Sequence, residues 1–228
     1  MSIETKEMAK IAVFDLDGTC VAGQSGSLFS KYLFFHGYLS VSTVLKLGWW
    51  AFRYVTHLPY SQLTPREAIF DDLQNLKCEK VDELMRDFHD TVLLPRYRKD
   101  AIAEMEKRKN EGCIVLLVSA TFETIAVAAG QFLGVNDVIA TNMEKGQDDH
   151  YLPVVSGKVC EGEEKPKSVY RWAEQHIKDR PWQITYAYGD HHSDEELLEA
   201  AHHAFAVCPG FTLKGIANRH GWTLLKWK

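Results

Sequence analysis

Two aspartates stand two residues apart directly after a short apolar run near the start of the chain. The apolar run covers 11–14, Asp15 and Asp17 follow, and a glycine comes next. An apolar run that ends at Gly is typical of a buried strand followed by a tight turn. Residues two apart in an extended chain point to the same side, so both carboxylates converge at the strand end. Because unpaired buried charge is costly, we interpret them as a nucleophile and an acid that share a metal.

Other polar side chains follow later apolar segments in the same way. Ser119 comes directly after one predicted strand, and Asp190 follows another, with Asp194 four residues further on. Lys165 lies at the start of a predicted helix. Ligands bind at the carboxyl ends of the strands in open α/β sheets, so we expect these side chains to lie at one edge.

The combination of acids, serine and lysine indicates phosphoryl transfer. Aspartate attacks phosphorus well once a metal screens the charge, and Asp15 is the predicted nucleophile. We expect Asp17 to protonate the leaving oxygen and then to deprotonate the attacking water. That role requires a raised pKa, which a neighbouring carboxylate promotes. The Ser119 hydroxyl and the N–H groups of the following helix are predicted to bind phosphate oxygens.

Such a site needs cations, because a phosphate dianion and several carboxylates repel one another. Each unit-charge pair at about 4 Å costs roughly 4 kcal/mol at an effective dielectric near 20. Lys165 supplies one positive charge, and an all-oxygen carboxylate site suits Mg²⁺ rather than zinc. Asp190 and Asp194 are the expected further metal ligands. The alternative is that Asp190 is a turn residue and Asp194 caps the next helix.

The order of the predicted elements indicates an α/β fold with an insertion. From about residue 100 onward strands alternate with helices, which implies a parallel sheet with helices on both faces. A hairpin is predicted around Ser156-Gly157. Residues 20–95 show helical spacing without a buried strand. We therefore predict a core domain from residues 1–19 and 96–228, with a helical cap of residues 20–95 inserted after the first strand.

Composition limits the classes of partner and the compartment. The 228 residues carry a formal net charge of −5, so no overall basic surface suggests nucleic acid. The five cysteines are odd in number and scattered, which favours a reducing compartment over a disulfide framework. The first residues are polar and charged, without the apolar segment of a signal peptide. These features predict a cytoplasmic protein.

The aromatic stretch 28–55 is a candidate for interaction with a membrane. No uninterrupted apolar run approaches the 18 or so residues of a spanning helix, so no transmembrane segment is predicted. The interrupting residues are Lys31, His36, Lys46 and Arg53. Trp49 and Trp50 could nevertheless make weak contact with a bilayer surface. The alternative is a helix packed inside the insert.

Four motifs, in this order, resemble those of the haloacid dehalogenase superfamily of phosphohydrolases. The first is the most specific, and order and spacing agree from residue 10 to about 210. The motifs are Asp15-Leu16-Asp17-Gly18-Thr19, Leu117-Val118-Ser119-Ala120, Lys165, and Gly189-Asp190 with Asp194. The insert after the first motif resembles the cap of the phosphoserine-phosphatase-like branch.

The resemblance implies a Rossmann-like three-layer core with a helical cap and an Mg²⁺-dependent phosphatase that forms an aspartyl-phosphate. It also implies that the backbone carbonyl of Asp17 joins the Asp15 carboxylate at the metal. Asp190 would be a direct ligand, and Asp194 would act through water. The expected substrate is a small phosphorylated molecule chosen by the cap.

Two positions depart from the family pattern. His191 stands where a small residue or Ser usually follows the aspartate of the fourth motif. Gln24 is nearest to the position where phosphoserine phosphatases carry a glutamate that holds the substrate amine. The second departure argues against phosphoserine as substrate. Both residues are candidates for substrate or cap contact, with a solvated turn as the alternative for His191 and its neighbour His192.

Arginines of the insert and its junction are candidates for recognising an anionic substrate, or they simply cover helices. They are Arg53, Arg66, Arg96 and Arg98. Two other activities are compatible with the motifs: a phosphatase acting on lipid phosphates such as phosphatidylglycerophosphate, and a phosphotransferase using the same site. A dehalogenase is disfavoured, because Asp17 has no role in displacing halide from carbon. The sequence does not predict an oligomeric state.

Overall fold

The fold centres on one mostly parallel sheet. The computed structural model describes residues 7–56, 58–59, 61 and 63–228, without the side chains of residues 54 and 55. Its strands are β1 Ala9–Phe14, β2 Ile114–Phe122, β3 Asp137–Lys145, β4 Tyr151–Ser156, β5 Trp182–Gly189, β6 His203–Val207 and β7 Thr223–Leu225. They are ordered β4-β3-β2-β1-β5-β6-β7, and β4 runs antiparallel to its neighbour. The predicted α/β class is confirmed.

The first strand lies between the two strands that carry the other predicted site residues. Phe14 pairs with Leu117 of β2 on one side and with Tyr188 of β5 on the other. The Asp15 N–H donates to the Tyr188 carbonyl at 3.0 Å. The residues that follow Phe14, Leu117 and Tyr188 therefore meet at one edge of the sheet.

Alternation along β1 divides the core between the two faces of the sheet. Ala12 and Phe14 belong to one apolar cluster, whereas Ile11 and Val13 belong to the other. The first cluster includes α5 Lys99–Asn110 and α6 Glu123–Leu133, and the second includes α7 Glu164–His176, α8 Glu195–Glu199 and α9 Phe211–His220. The sheet is therefore the middle of three layers.

Helices fill the insert, as expected from its spacing. They are α1 Ser25–Phe35, α2 Val41–Val55, α3 Leu63–Leu73 and α4 Cys78–Phe88, followed by a π-helical turn at His89–Leu93 and a short 3-10 turn at Leu94–Arg96. Phe29 of α1 packs on Phe88 and on Phe122 at the end of β2, with ring centroids 5.1 and 6.0 Å apart. The insert therefore shares an apolar cluster with the sheet, and its status as a separate cap domain stays a prediction.

The hairpin prediction was wrong in position. The hairpin joins β3 to β4, and its turn lies between Lys145 and Tyr151, where the Gly146 N–H donates to the His150 carbonyl at 2.7 Å. Ser156-Gly157 instead lies where β4 ends. The partner of β4 is the preceding strand β3, which extends through polar residues to Lys145.

Two further features bear on the sequence-based expectations. No helix in the described part of the chain combines the length and the apolar character that crossing a membrane requires.

The five cysteines are free thiols, and four of them are buried. Cys20 donates its S–H to the Asp15 carbonyl at 2.9 Å, and burial raises the pKa of this thiol well above its usual value. Cys20 is therefore a packed, unreactive thiol.

Candidate active site

A buried lysine joins two of the predicted site aspartates. The Lys165 ammonium lies 2.6 Å from Asp15 Oδ1 and 2.5 Å from Asp194 Oδ1. The exposed fractions are 3% for Lys165, 4% for Asp15 and 1% for Asp194, so these charges interact in a largely water-free environment. Lys165 reaches the acids because α7 starts one residue earlier, at Glu164. The predicted convergence of these residues is therefore present in the structure.

Asp194 also organises the loop after β5. Its Oδ2 atom accepts the backbone N–H groups of Asp190 at 3.1 Å and of His191 at 3.2 Å. Asp194 occupies the position before α8, but its carboxylate does not cap that helix. Both of its oxygens are thus engaged with the site loop and with Lys165. This arrangement suits a residue that positions the site rather than one that contacts substrate.

Two glycines allow the first and fourth motifs to approach closely. Gly18 has φ +73°, and a Cβ placed there would lie 1.9 Å from Asp190 Oδ2. A Cβ on Gly189 would lie 2.6 Å from the Asp194 Cβ. Gly18 is therefore required both for its left-handed backbone and for the space that the Asp190 carboxylate occupies.

The Asp17 carboxylate accepts hydrogen bonds from a residue of the insert. The Ser25 backbone N–H donates to Asp17 Oδ1 at 2.6 Å, and the Ser25 hydroxyl donates to Asp17 Oδ2 at 2.7 Å. The Ser25 hydroxyl also lies 2.8 Å from the Thr121 hydroxyl at the end of β2. A short polar chain therefore runs from the predicted general acid through the first residue of α1 to β2.

Ser119 lies inside the same buried edge. It is 1% exposed, and its hydroxyl oxygen accepts the Thr121 N–H at 3.2 Å. Since this bond uses an oxygen lone pair, the Ser119 hydroxyl proton can still be donated to an anion. The second strand runs to Phe122 instead of ending at Val118 as predicted, so Ser119 lies within β2 rather than after it.

One of the four candidate arginines reaches this region. The Arg66 guanidinium on α3 donates to the carbonyl of Ala120, the residue after Ser119, at 2.8 Å. Burial lowers the pKa of Arg66, while the nearby Glu161 and Asp17 carboxylates oppose that shift. Arg66 therefore brings a cation from the insert to the edge where a phosphate would lie. Arg96 and Arg98 donate instead to the carbonyls of Val92 and Trp227.

Burial and mutual repulsion shift the protonation of the acids. Burial raises the pKa of Asp15 well above its usual range; Lys165 opposes this shift, and the other acids add to it. Burial also raises the pKa of Asp17 against the two Ser25 hydrogen bonds. The pKa of Asp190 is raised to about 8 by burial and by the Asp194 carboxylate. Lys165 has a pKa well above its usual value, because these acids outweigh its burial.

The acid cluster has the composition of a magnesium site. Asp15, Asp190 and Asp194 each offer a carboxylate oxygen, and these oxygens lie within 4.8 Å of one another. Hard oxygen donors of this kind suit Mg²⁺. One lysine does not balance the acids gathered here, and repulsion among them adds to burial in raising the pKa values of Asp15 and Asp190. A divalent cation would supply that charge.

The remaining candidates lie at the periphery. Gln24 precedes α1 and is exposed, and its carbonyl accepts the Leu28 N–H at 3.1 Å. Arg53 lies in the last turn of α2 and is half-buried. His191 Nδ1 lies 3.0 Å from the Ser193 hydroxyl within its own turn, and burial lowers the pKa of this imidazole. A substrate role for each of these residues stays a prediction.

Sequence reasoning missed Ser25 and Thr121. The insert was predicted to be helical over 20–95 without assigning where its first helix begins, so Ser25, the first residue of α1, was not considered. A serine beside the start of a helix and shortly after the first motif was the available signal. Thr121 carried no comparable signal, because its contact with Ser25 joins residues 96 positions apart.

Comparison with known proteins identifies relatives over most of the chain. The family model of haloacid dehalogenase-like hydrolases matches residues 12–199. A histidinol-phosphatase from Neisseria meningitidis is 25% identical over 243 residues, which cover 97% of this chain and 100% of that protein. One relative of this chain is thus named as a phosphatase.

Solved structures share the fold. A protein of unknown function from Bordetella pertussis has a TM-score of 0.86 at 22% identity, over 96% of this chain and 99% of that one. A phosphoserine phosphatase solved as a phospho-aspartyl intermediate analogue has a TM-score of 0.67 at 19% identity, over 96% and 94% of the two chains. The family match and the shared fold together show that the chain belongs to the haloacid dehalogenase-like hydrolases, with the fold of their phosphoserine-phosphatase-like members.

Proposed function

We propose that this phosphatase is an Mg²⁺-dependent phosphomonoesterase that works through an aspartyl-phosphate on Asp15. The observation that carries the proposal is the Lys165 ammonium between Asp15 and Asp194, with the Asp190 carboxylate seated against Gly18. A phosphate bound at this edge would meet a nucleophile, a lysine and a buried serine hydroxyl.

In the first half of the reaction, Asp15 is phosphorylated. A carboxylate oxygen of Asp15 attacks phosphorus, and the bond between phosphorus and the leaving-group oxygen breaks. Asp17 gives its proton to that oxygen, so the product leaves as a neutral alcohol. The raised pKa of Asp17 supports this role, since the carboxyl must hold a proton near neutral pH.

In the second half, water attacks the phosphorus of the aspartyl-phosphate, and Asp17 takes the proton of that water. The bond between phosphorus and the Asp15 oxygen breaks, which frees phosphate and restores both aspartates. Ser25 would position the Asp17 carboxyl through its backbone N–H and its hydroxyl, and the same hydroxyl lies within hydrogen-bond distance of the Thr121 hydroxyl.

Mg²⁺ would be held by the carboxylates of Asp15 and Asp190, with the Asp17 carbonyl and Asp194 contributing as the family resemblance implies. When bound, the ion supplies the positive charge that lets a phosphate dianion approach an ionised nucleophile. Lys165 would hold the Asp15 carboxylate and a phosphate oxygen, and Ser119 would donate to another phosphate oxygen.

Access to this site requires movement of the insert. Asp15, Lys165 and Ser119 are almost completely buried, while Ser25 and Arg66 reach the site from the insert. We infer that the insert opens to admit substrate and closes to exclude water. Arg66 then favours substrates that present negative charge towards α3, so the insert chooses the substrate.

The proposal is tested by phosphate release from a panel of phosphomonoesters, with Mg²⁺ and with EDTA. The panel includes histidinol phosphate, phosphoserine, aryl phosphate and a short-chain lipid phosphate. Quenching with substrate labelled at phosphorus should trap a phosphoprotein that hydroxylamine cleaves. Asp15→Asn should form none, while Asp71→Asn, which changes an exposed carboxyl, should behave like the wild type.

Three results would count against this function. They are Mg²⁺-independent turnover, normal turnover by Asp15→Asn, and phosphate release without a phosphoprotein. Added alcohols test the phosphotransferase alternative, because a transferase would yield phosphorylated alcohol in place of free phosphate. A lipid phosphate is a second candidate substrate, favoured by the exposed apolar side chains of α2.

A further inference from the structure

Helix α2 carries a continuous apolar stripe on its exposed side. Four large apolar side chains are more than half exposed: Val41 68%, Leu45 69%, Trp49 60% and Phe52 52%. At 100° per residue these positions fall within about 80° of one another around the helix. Trp49 and Phe52 stack with ring centroids 5.5 Å apart, so the stripe has an ordered aromatic end. This set of four residues is called the α2 stripe below.

The opposite side of α2 faces the protein. Thr43 is 2% exposed, and Trp50 is half-buried with its indole N–H donating to the Ser61 carbonyl at 2.8 Å. This side packs on α3. The two neighbouring tryptophans therefore have different surroundings. Trp49 is exposed on the stripe, whereas Trp50 packs against other residues of the insert.

The charges on α2 have one sign. Lys46 and Arg53 lie about two helical turns apart on the same flank of the stripe, and the helix 41–55 contains no aspartate or glutamate. The whole chain carries a net charge of −5, so this helix differs from the rest of the molecule in sign. An apolar stripe bordered by cations is complementary to an anionic lipid surface: the apolar side chains enter the acyl boundary, and the cations meet the headgroups.

We propose that the α2 stripe binds the surface of an anionic lipid bilayer, with the helix lying in the interface plane. This binding goes beyond the phosphatase function and requires no substrate. A second copy of the chain is a poorer occupant, because another α2 would bring its own Lys46 and Arg53 and no carboxylate to pair with them. Trp49 is the expected anchor, since its ring combines a large apolar face with a polar N–H.

Co-sedimentation with vesicles tests the proposal. Vesicles of equal parts phosphatidylcholine and phosphatidylglycerol are compared with vesicles of phosphatidylcholine alone. The full-length wild type should bind the anionic vesicles, and added salt should weaken binding. Leu45→Ser with Trp49→Ser should bind at least about tenfold more weakly. Lys46→Gln should bind about fivefold more weakly, as expected for one basic residue at a lipid surface.

The matched control is Phe211→Ser, which removes an aromatic side chain that is 96% exposed at the start of α9. It should bind vesicles like the wild type. Turnover of a soluble aryl phosphate checks that each variant is folded, and failure of that turnover in the wild type would concern the phosphatase proposal alone. Light scattering gives the oligomeric state of the wild type and the double variant.

Three outcomes would overturn the proposal. The wild type does not bind the anionic vesicles, or the double variant binds them as tightly as the wild type, or binding is equal on uncharged vesicles. A wild-type dimer that the double variant dissociates, without vesicle binding, would assign the stripe to a second copy.

Discussion

The edge of the sheet buries charged side chains, whereas the outer side of the insert exposes apolar ones. At the edge, Asp15, Lys165 and Asp194 are buried charges, each bonded to a residue far away in the chain. On α2, large apolar side chains such as Leu45 and Trp49 are exposed to solvent. One region takes charge out of water, and the other leaves apolar surface in it.

The two regions therefore allow different conclusions about function. Buried charges persist only where partners compensate them, so the residue types at the edge already restrict the chemistry. Exposed apolar surface is explained by a partner outside the chain, so its chemistry depends on what binds there. Substitutions at the edge should therefore have larger effects on activity than substitutions in the insert.

Asp15→Asn should have the largest effect. The variant keeps the size of the side chain but removes the nucleophile, and we expect kcat to fall by at least about 10⁴-fold. Steady-state turnover of an aryl phosphate with Mg²⁺ measures the loss, and circular dichroism checks the fold. Residual turnover within tenfold of the wild type would show that the edge does not act through this carboxylate.

Lys165→Met should reduce both activity and stability. Loss of the ammonium leaves Asp15 and Asp194 without their shared cation, and removing one partner of a buried pair typically costs about 3–5 kcal/mol. We expect kcat to fall about 10²–10³-fold, as for loss of a preorganised cationic group. Chemical denaturation and turnover provide the measurements.

The matched control for this lysine is Lys167→Met. Lys167 lies two residues further along α7 and pairs with Glu163 at the surface. Its loss should leave turnover unchanged and should alter stability by less than about 1 kcal/mol. Equal destabilisation by the two variants would mean that burial does not distinguish the edge lysine.

Ser25→Ala tests the junction between the two regions. It removes the hydroxyl that reaches Asp17 and Thr121 but keeps the backbone N–H bond. We expect kcat to fall about 10- to 100-fold with little change in KM, because one hydrogen bond to a charged group contributes about 1.5–3 kcal/mol. Ser27→Ala, which removes an exposed hydroxyl, is the control. A change confined to KM would place Ser25 in substrate binding instead.

The pH dependence of the free energy of unfolding should reflect the raised pKa of Asp190. Without metal, Asp190 keeps its proton up to about pH 8, whereas in the unfolded chain it releases it near pH 4. The folded state then binds more protons than the unfolded state between those values, so stability falls as pH rises. Thermal melting in EDTA from pH 6 to pH 8 should show this fall.

Asp190→Asn removes the titrating group and should flatten the slope. Added Mg²⁺ should stabilise the wild type more at pH 8 than at pH 6, since the ion competes with the proton for the same carboxylates. A slope that is identical in wild type and variant would assign the pH dependence to other groups.

Gln24→Ala should have the smallest effect. The side chain is exposed, and the contribution of this position to α1 comes from its carbonyl. Kinetic constants should change less than about twofold, as for an ordinary surface substitution. Arg66→Ala should raise KM more than Gln24→Ala does, because only Arg66 brings a cation to Ala120. The opposite ranking would place the substrate contact before α1.

The strand-end residues were predictable from sequence because strand ends have a simple geometry. Asp15, Ser119 and Asp190 each follow or end an apolar run, and level parallel strands bring such positions together. Lys165 was placed by its motif and the start of its helix.

The insert was less predictable for a physical reason. Helical periodicity indicates which residues share a face, but not which face packs inward or which partner it meets. Trp49 and Trp50 illustrate this, since neighbours in sequence differ in exposure once α2 packs on α3. Ser25 was missed because helical spacing over 20–95 does not define the residue at which the first helix begins.

The central position of β1 also affects biosynthesis. This strand is synthesised before its two neighbours in the sheet, which begin at Ile114 and Trp182. At about 5–20 residues per second, Asp15 waits roughly 8 to 33 seconds before residue 182 is made. Until then the apolar strand and its acids lack the partners that β2 and β5 provide in the folded sheet, and the buried edge cannot form.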